Sequence, residues 1–166
     1  MTEKEFLDII EANKGIIYKV SRIYFDEKND REDLFQEIVI RTWNSIHTFK
    51  GQSAFSSWLY KVALNTAIVH FKKNKKRREK IIGPIPSNFK QPLTQSSKED
   101  QLTQFYRAVK QLNRIEKALI LQYIDGLSGQ QIGENLGLTP INVRVKTNRV
   151  KAKLKAIIEK QSKDEL

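Results

Sequence analysis

The chain has 166 residues and no cysteine, which excludes disulfides and Cys-based zinc sites and makes a reducing, cytoplasmic setting the expectation. Its apolar runs span only a few residues, as in Ala118 to Leu121, and Met1 to Leu7 carries three charges, so neither membrane insertion nor a secretory signal is expected. The net charge of +11 favours a polyanionic partner. It is unevenly spread: residues 1–37 hold six basic and ten acidic side chains, residues 38–80 ten and one, and residues 101–166 twelve and six. An acidic patch beside two basic ones fits one protein partner and two nucleic-acid contacts, with plain solubilising charge as the alternative.

Helical periodicity dominates. Phe6, Ile9, Ile10, Ile16, Ile17, Val20 and Tyr24 recur at three- and four-residue spacing, which predicts one long helix or two broken near Gly15. A second helix is expected from Asp30 as N-cap, with Glu32 and Asp33 favoured in its first turn and Phe35, Val39, Trp43 and Ile46 as its buried stripe. Lys50-Gly51-Gln52 interrupts the pattern. Ser53 is a candidate cap for a third helix, with Phe55, Leu59, Val62 and Thr66 aligned and a basic run from Lys72 to Arg78 at its end. From Ile81 to Lys98 come three of the four prolines and no helical period, which reads as a linker. Periodicity returns with Leu102, Phe105, Tyr106, Val109 and Leu112, and again with Ile115, Leu119 and Tyr123.

Residues 125–154 carry the punctuation of a helix-turn-helix. Gly126 suits the left-handed position that ends one helix, and Ser128 with Gln131 makes a capping box that opens the next. Gly137 closes that short helix, Leu138 sits in the turn, and Thr139-Pro140 supplies a new N-cap with proline in the first turn. In the last helix Val143, Thr147, Val150, Leu154 and Ile157 mark the packed side. The other side carries Ile141, Val145 and Asn148, flanked by Asn142, Arg144 and Arg149. On a recognition helix Ile141 and Val145 suit thymine methyls, Arg144 guanine and Asn148 adenine, while Lys151, Lys153 and Lys155 further along suit phosphates. An ordinary helical hairpin with a solvated basic face is the alternative.

The order of these features resembles a known family. Asp30 to Glu37, then Trp43, then Phe49 to Asn65 is similar to region 2 of extracytoplasmic-function RNA polymerase sigma factors, of the sigma-70 family, and Leu127 to Leu154 is similar to their region 4.2. The resemblance implies an all-α fold of two small helical domains joined by a flexible linker, with domains at 1–80 and 101–166 and the linker at 81–100. It also implies that Asp33, Gln36, Glu37, Arg41 and Asn44 dock on core RNA polymerase. Asp33 and Glu37 are otherwise explained by the helix N-terminus alone. The −10 promoter element would be opened and held by Lys50, Gln52, Ser53, Ser56, Tyr60, Lys61 and Asn65, with Lys72, Lys73 and Arg77 on duplex phosphates. Strand opening needs such polar groups, cations and stacking aromatics. Trp58 reads either as core or as a stacking platform. The −35 element would fall to Thr139, Ile141, Asn142, Arg144, Val145, Asn148 and Arg149.

Some departures are local. The family commonly has Ala where Gly133 stands, which implies a propensity cost of ~1 kcal/mol. Gly often lies near Ile141, Ser near Val145 and Leu near Thr147, so the −35 sequence read here is left open.

Other signals lead nowhere. Lys163 to Leu166 matches a lumenal retention tetrapeptide that has no use without a secretory signal. His47 and His70 stand alone, so no metal site is expected, and neither a phosphate loop nor a nucleophile motif occurs. The expectation is a DNA-binding specificity subunit, not an enzyme, with no catalytic residues, no cofactor and no small-molecule substrate. Its partners would be core RNA polymerase, promoter DNA at the −10 and −35 elements, and, as an open further class, an anti-sigma factor. The alternatives are a helix-turn-helix transcriptional regulator that does not enter polymerase, and an RNA-binding or nuclease accessory protein using the Lys72–Arg78 run.

Overall fold

The computed structural model describes residues 1–82 and 97–165, with side chains for 1–77 and 101–165. Every regular element among them is a helix: α1 (Glu3–Tyr24), α2 (Lys28–Ser45), α3 (Phe55–Ile82), α4 (Ser97–Lys110), α5 (Arg114–Ile124), α6 (Gly129–Leu136) and α7 (Pro140–Asp164), with a single 3₁₀ turn at Ile46–Thr48. The linker expected at 81–100 falls largely outside the described residues. Its ends are helical, since α3 runs through Ile82 and α4 starts at Ser97.

Capping explains where most helices begin. Thr2 and Glu5 form a reciprocal box at α1, Asn113 and Glu116 at α5, and Ser128 and Gln131 at α6, each satisfying amide hydrogens that helix geometry leaves unpaired. Thr139 caps α7 by accepting from the Asn142 amide at 3.2 Å, with Pro140 in the first turn. Gly15 does not break α1, which is continuous over 22 residues. α2 starts earlier than expected, at Lys28 with Glu27 as N-cap, so Asp30 sits in its first turn instead of capping it. Ser53 is not the cap of α3 either: the Ala54 carbonyl accepts from the Ser57 amide at 3.0 Å and the Trp58 amide at 3.3 Å.

Three buried stripes differ from the periodic expectation, because neighbours pack on more than one side. In α2 the buried row is Leu34, Ile38 and Thr42; Phe35 and Val39 are half-buried, and Trp43 is 41% exposed. The 34–38–42 row lies between α1 and α3, while Phe35 lies to one side against Tyr18, ring centroids 4.8 Å apart. In α3 Leu59 is buried as expected, but its companions are Ser57, Tyr60, Ala63, Leu64 and Ala67; Phe55, Val62 and Thr66 are half-buried. In α5 Leu119 is buried with Ala118, Ile120, Leu121 and Gln122, whereas Ile115 and Tyr123 are exposed. The face of α7 follows expectation, with Val143, Thr147, Val150 and Leu154 buried and Ile157 half-buried, while α6 buries Ile132.

The two groups of helices, α1–α3 and α4–α7, pack on each other. α3 contacts α5 and α6, α1 contacts α4, and their buried side chains form one cluster. α3 therefore has partners on both sides.

The helix-turn-helix depends on a close approach at Gly133. The turn after α6 reverses through Gly137, whose φ of +69° favours glycine, and the Leu138 amide bonds back to the Gly133 carbonyl at 2.9 Å. A Cβ on Gly133 would lie 2.4 Å from the Leu138 carbonyl oxygen. Glycine here suits the close approach of the turn, which offsets the propensity cost expected from the sequence. Gly133→Ala gains ~1 kcal/mol of helix propensity, but overpacking against backbone costs ~1–3 kcal/mol. Thermal unfolding of Gly133→Ala should show a lowered midpoint; a raised one would mean that the turn relaxes freely.

Candidate nucleic-acid and polymerase interfaces

α2 assembles the first face. Asp33, Gln36, Glu37 and Asn44 share one side of the helix by their three- and four-residue spacing, and all are exposed except half-buried Glu37. Arg41 lies at the edge, its Nε 2.9 Å from the Glu37 carboxylate. Sequence reasoning missed Ile40, which is 53% exposed within the same stripe. The available signal was an apolar residue on a helix face otherwise polar. An exposed aliphatic ringed by polar groups is the composition of a protein contact.

The second face runs along α3 and the loop before it. Phe49, Phe55 and Trp58 pack edge-on and tilted against one another with centroids 5.5–5.6 Å apart, which anchors the loop carrying exposed Lys50 and Gln52 and half-buried Ser53. Trp58 is thus a half-buried member of an aromatic cluster. Ser56 is half-buried; Lys61, Asn65, Lys72, Lys73 and Arg77 are exposed along α3. Tyr60 departs from this arrangement. It is fully buried between the two helical groups, and its hydroxyl donates to the Asp125 carboxylate. Burial and that carboxylate both push its pKa upward, so the hydroxyl stays protonated. The residue chosen for a DNA-facing role is covered here because α3 packs on α5 and α6 as well as on α1 and α2.

A cavity of about 200 Å³ between α2 and α3 is lined by Glu37, Arg41, Asn65, Thr66, Val69, His70 and Lys73. It joins residues expected on the polymerase face to residues expected on the −10 face. Val69 was not singled out, and Thr66 and His70 were read only as a stripe residue and an isolated histidine, because nothing in their own spacing marks a shared site.

The third face is the start of α7. Ile141 is 78% exposed and Val145 41%, with Asn142, Arg144, Asn148 and Arg149 exposed around them. Nothing in α6 or the turn covers these side chains, while Thr139 is engaged as the cap. Two of the lysines expected on phosphates are otherwise occupied. Lys153 bonds the Glu116 carboxylate at 3.0 Å, tying α7 to the α5 cap, and Lys151 lies 4.2 Å from the Tyr123 ring centroid. Lys155 remains exposed. Burial pushes the Glu116 carboxyl up, but hydrogen bonds from the Asn113 amide and Lys153 outweigh it, leaving its pKa lowered.

So an exposed acidic helix, a basic helix with a polar loop, and a helix-turn-helix with a bare reading face follow one another along the chain. Residues 9–77 match the family model for sigma-70 region 2, and residues 102–154 match that for sigma-70 region 4. The chain is 30% identical to the ECF RNA polymerase sigma factor SigX of Bacillus subtilis, across 89% of this chain and 80% of that one. The chain belongs to the extracytoplasmic-function sigma factors. It is also 27% identical to SigW of the same organism, over 87% of this chain and 83% of that relative. Its fold is that of the sigma factor RpoE solved in complex with the anti-sigma factor NepR from Bartonella quintana, with a TM-score of 0.75 at 18% identity, covering 94% and 98% of the two chains. CnrH, solved in complex with the cytosolic domain of CnrY, gives 0.69 at 18%, covering 95% and 90%. α1–α3 are accordingly region 2, and α4–α7 region 4.

The occupied lysine separates two kinds of cation on α7. Glu116, with its lowered pKa, contributes stability above the usual carboxylate range that is lost as pH falls through its folded value. Lys153→Ala should therefore lower the thermal midpoint at neutral pH and much less in acid. It should leave the salt dependence of DNA binding unchanged, whereas Arg149→Ala should lower that slope by about one. A loss of slope from Lys153→Ala would place Lys153 on the DNA after all.

Proposed function

We propose that this sigma factor binds core RNA polymerase through α2, opens and holds the −10 element with the loop and exposed face of α3, and reads the −35 element with the start of α7. In this reading Asp33, Gln36, Glu37, Arg41 and Asn44 meet polymerase, with Ile40 as an apolar anchor among them. Lys50, Gln52, Ser53, Ser56, Lys61 and Asn65 hold the opened strand, Tyr60 joins them when uncovered, and Lys72, Lys73 and Arg77 take duplex phosphates. Ile141, Arg144, Val145 and Asn148 address base edges, while Asn142 and Arg149 flank them and Thr139 fixes the helix start. The working domains are 1–80 and 101–166, joined through 81–100. The protein acts in the cytoplasm as a specificity subunit without chemistry of its own, and an anti-sigma factor is a further class of partner.

One observation carries most of this. Acidic and amide side chains line an exposed helix face in a chain of net charge +11. A regulator that never met polymerase would have no use for that face. Substituting both Asp33→Lys and Glu37→Lys tests it. Surface changes usually alter stability by only about 0.5 kcal/mol, whereas broken charged interface contacts cost ~2–5 kcal/mol. The double variant should unfold at nearly the wild-type temperature and lose core-polymerase affinity by well over tenfold. Unchanged affinity would remove α2 from the interface.

A further inference from the structure

The seam between regions 2 and 4 is closed by polar groups. The Asp125 carboxylate takes both the Lys19 ammonium and the Tyr60 hydroxyl, one on each oxygen. The Asn135 amide, on α6, donates to the Ser57 carbonyl at 3.0 Å and the Ser57 hydroxyl at 3.1 Å, and to Gln122 at 2.7 Å. Asp26 pairs with Lys110, and the Arg22 guanidinium lies 4.2 Å from the Tyr106 ring centroid.

Asp125 is badly placed for its own domain. It caps the C-terminus of α5, where the helix dipole presents partial negative charge and an acid is disfavoured. Its stabilising partners lie across the seam, on α1 and α3, where Lys19 is 39% exposed and the carboxylate only 17%. An ammonium and a hydroxyl holding the two oxygens of one anion is the donor set that a backbone phosphate takes from DNA-binding proteins. Ser57 adds a second hydroxyl on the same row of α3, one turn from Tyr60. That row adjoins exposed Lys61 and Asn65, one step round the helix.

We propose that Lys19, Ser57 and Tyr60 form a further promoter contact on region 2, taking backbone phosphates of the −10 strand, and that region 4 covers it in the free chain with Asp125 and Asn135. It rests on the reading that region 2 holds the −10 strand, and it adds Lys19, on α1, to the DNA-binding surface. Region 4 then acts as an internal competitor, its carboxylate standing where a phosphate will sit. Binding the strand requires the seam to part, and the strand replaces the acid that is lost.

The experiment uses the full chain and a short fluorescein-labelled single strand of randomised DNA, followed by anisotropy at two salt concentrations. Asp125→Asn keeps shape and removes the charge; Glu134→Gln, an exposed change on α6, controls for the lost negative charge. Thermal midpoints verify folding. Asp125→Asn should bind the strand about tenfold more tightly, the scale of one charge-assisted hydrogen bond removed from the competing closed state, and Glu134→Gln should not. On the Asp125→Asn background, Lys19→Ala should weaken binding about threefold and lower the salt slope by about one. Tyr60→Phe, which deletes only the hydroxyl, should also weaken it. If these variants match their parents while Lys50→Ala with Lys61→Ala loses affinity, the covered row is not a DNA contact and the inference fails alone. If the Lys50 and Lys61 pair also has no effect, the −10 reading of region 2 fails and takes the inference with it.

Discussion

The burial of α3 on both sides is the constraint on which the rest depends. Leu59, Tyr60, Ala63 and Ala67 are all fully buried, and a side chain the size of Leu59 contributes roughly 1.5–3 kcal/mol when removed from water. Small Ala63 and Ala67 let neighbouring helices approach, and Leu59 and Tyr60 fill the space at the end nearer the loop. Because this row is occupied, the exposed rows of α3 are fixed in direction. Lys61 and Asn65, then Lys72, Lys73 and Arg77, face outward as a consequence of what faces inward. The same burial sets α2 against α3, so its acidic stripe must point to solvent.

From that frame the three working faces acquire distinct physical characters. α2 offers acids, amides and one bare isoleucine, which suits a protein surface. α3 offers cations and hydroxyls beside a loop pinned by a cluster of three aromatics, which suits a strand being separated from its complement. The start of α7 offers apolar and amide side chains at full exposure on a helix held from behind by Val143, Thr147 and Val150. A rigid helix with an uncovered reading face is what major-groove recognition requires. Glu116 and Lys153 brace that helix against α5, so one lysine of the basic run is engaged within the fold.

Much of this was legible in the sequence. Punctuation was read well where two signals agree, as with the Ser128–Gln131 box, the Thr139-Pro140 start and the glycine at 137, but not at Asp30 or Ser53, lone candidate caps with no Glu or Gln three residues on. The packed face of α7 was legible for a related reason: it has one apolar neighbour direction and a clean period. The stripes of α2 and α3 were not, since a helix with partners on two sides buries rows that a single-face pattern does not separate. Tyr60 was taken as a strand contact from the resemblance, and it is covered by helices far along the chain, where its hydroxyl meets Asp125, 65 residues away. The role of Gly133 was invisible for the same reason, because the obstructing carbonyl belongs to a turn whose geometry the propensity scale does not know. The resemblance supplied the polymerase-facing residues as a set, but Ile40 came from exposure alone.

The central claim, that this chain joins polymerase and gives it promoter choice, is tested most directly by run-off transcription with purified core RNA polymerase on a randomised promoter library. The account predicts transcripts that depend on this protein and start downstream of two shared, separated sequence elements. Specific DNA binding without any polymerase-dependent transcript would contradict it and leave only a DNA-binding regulator.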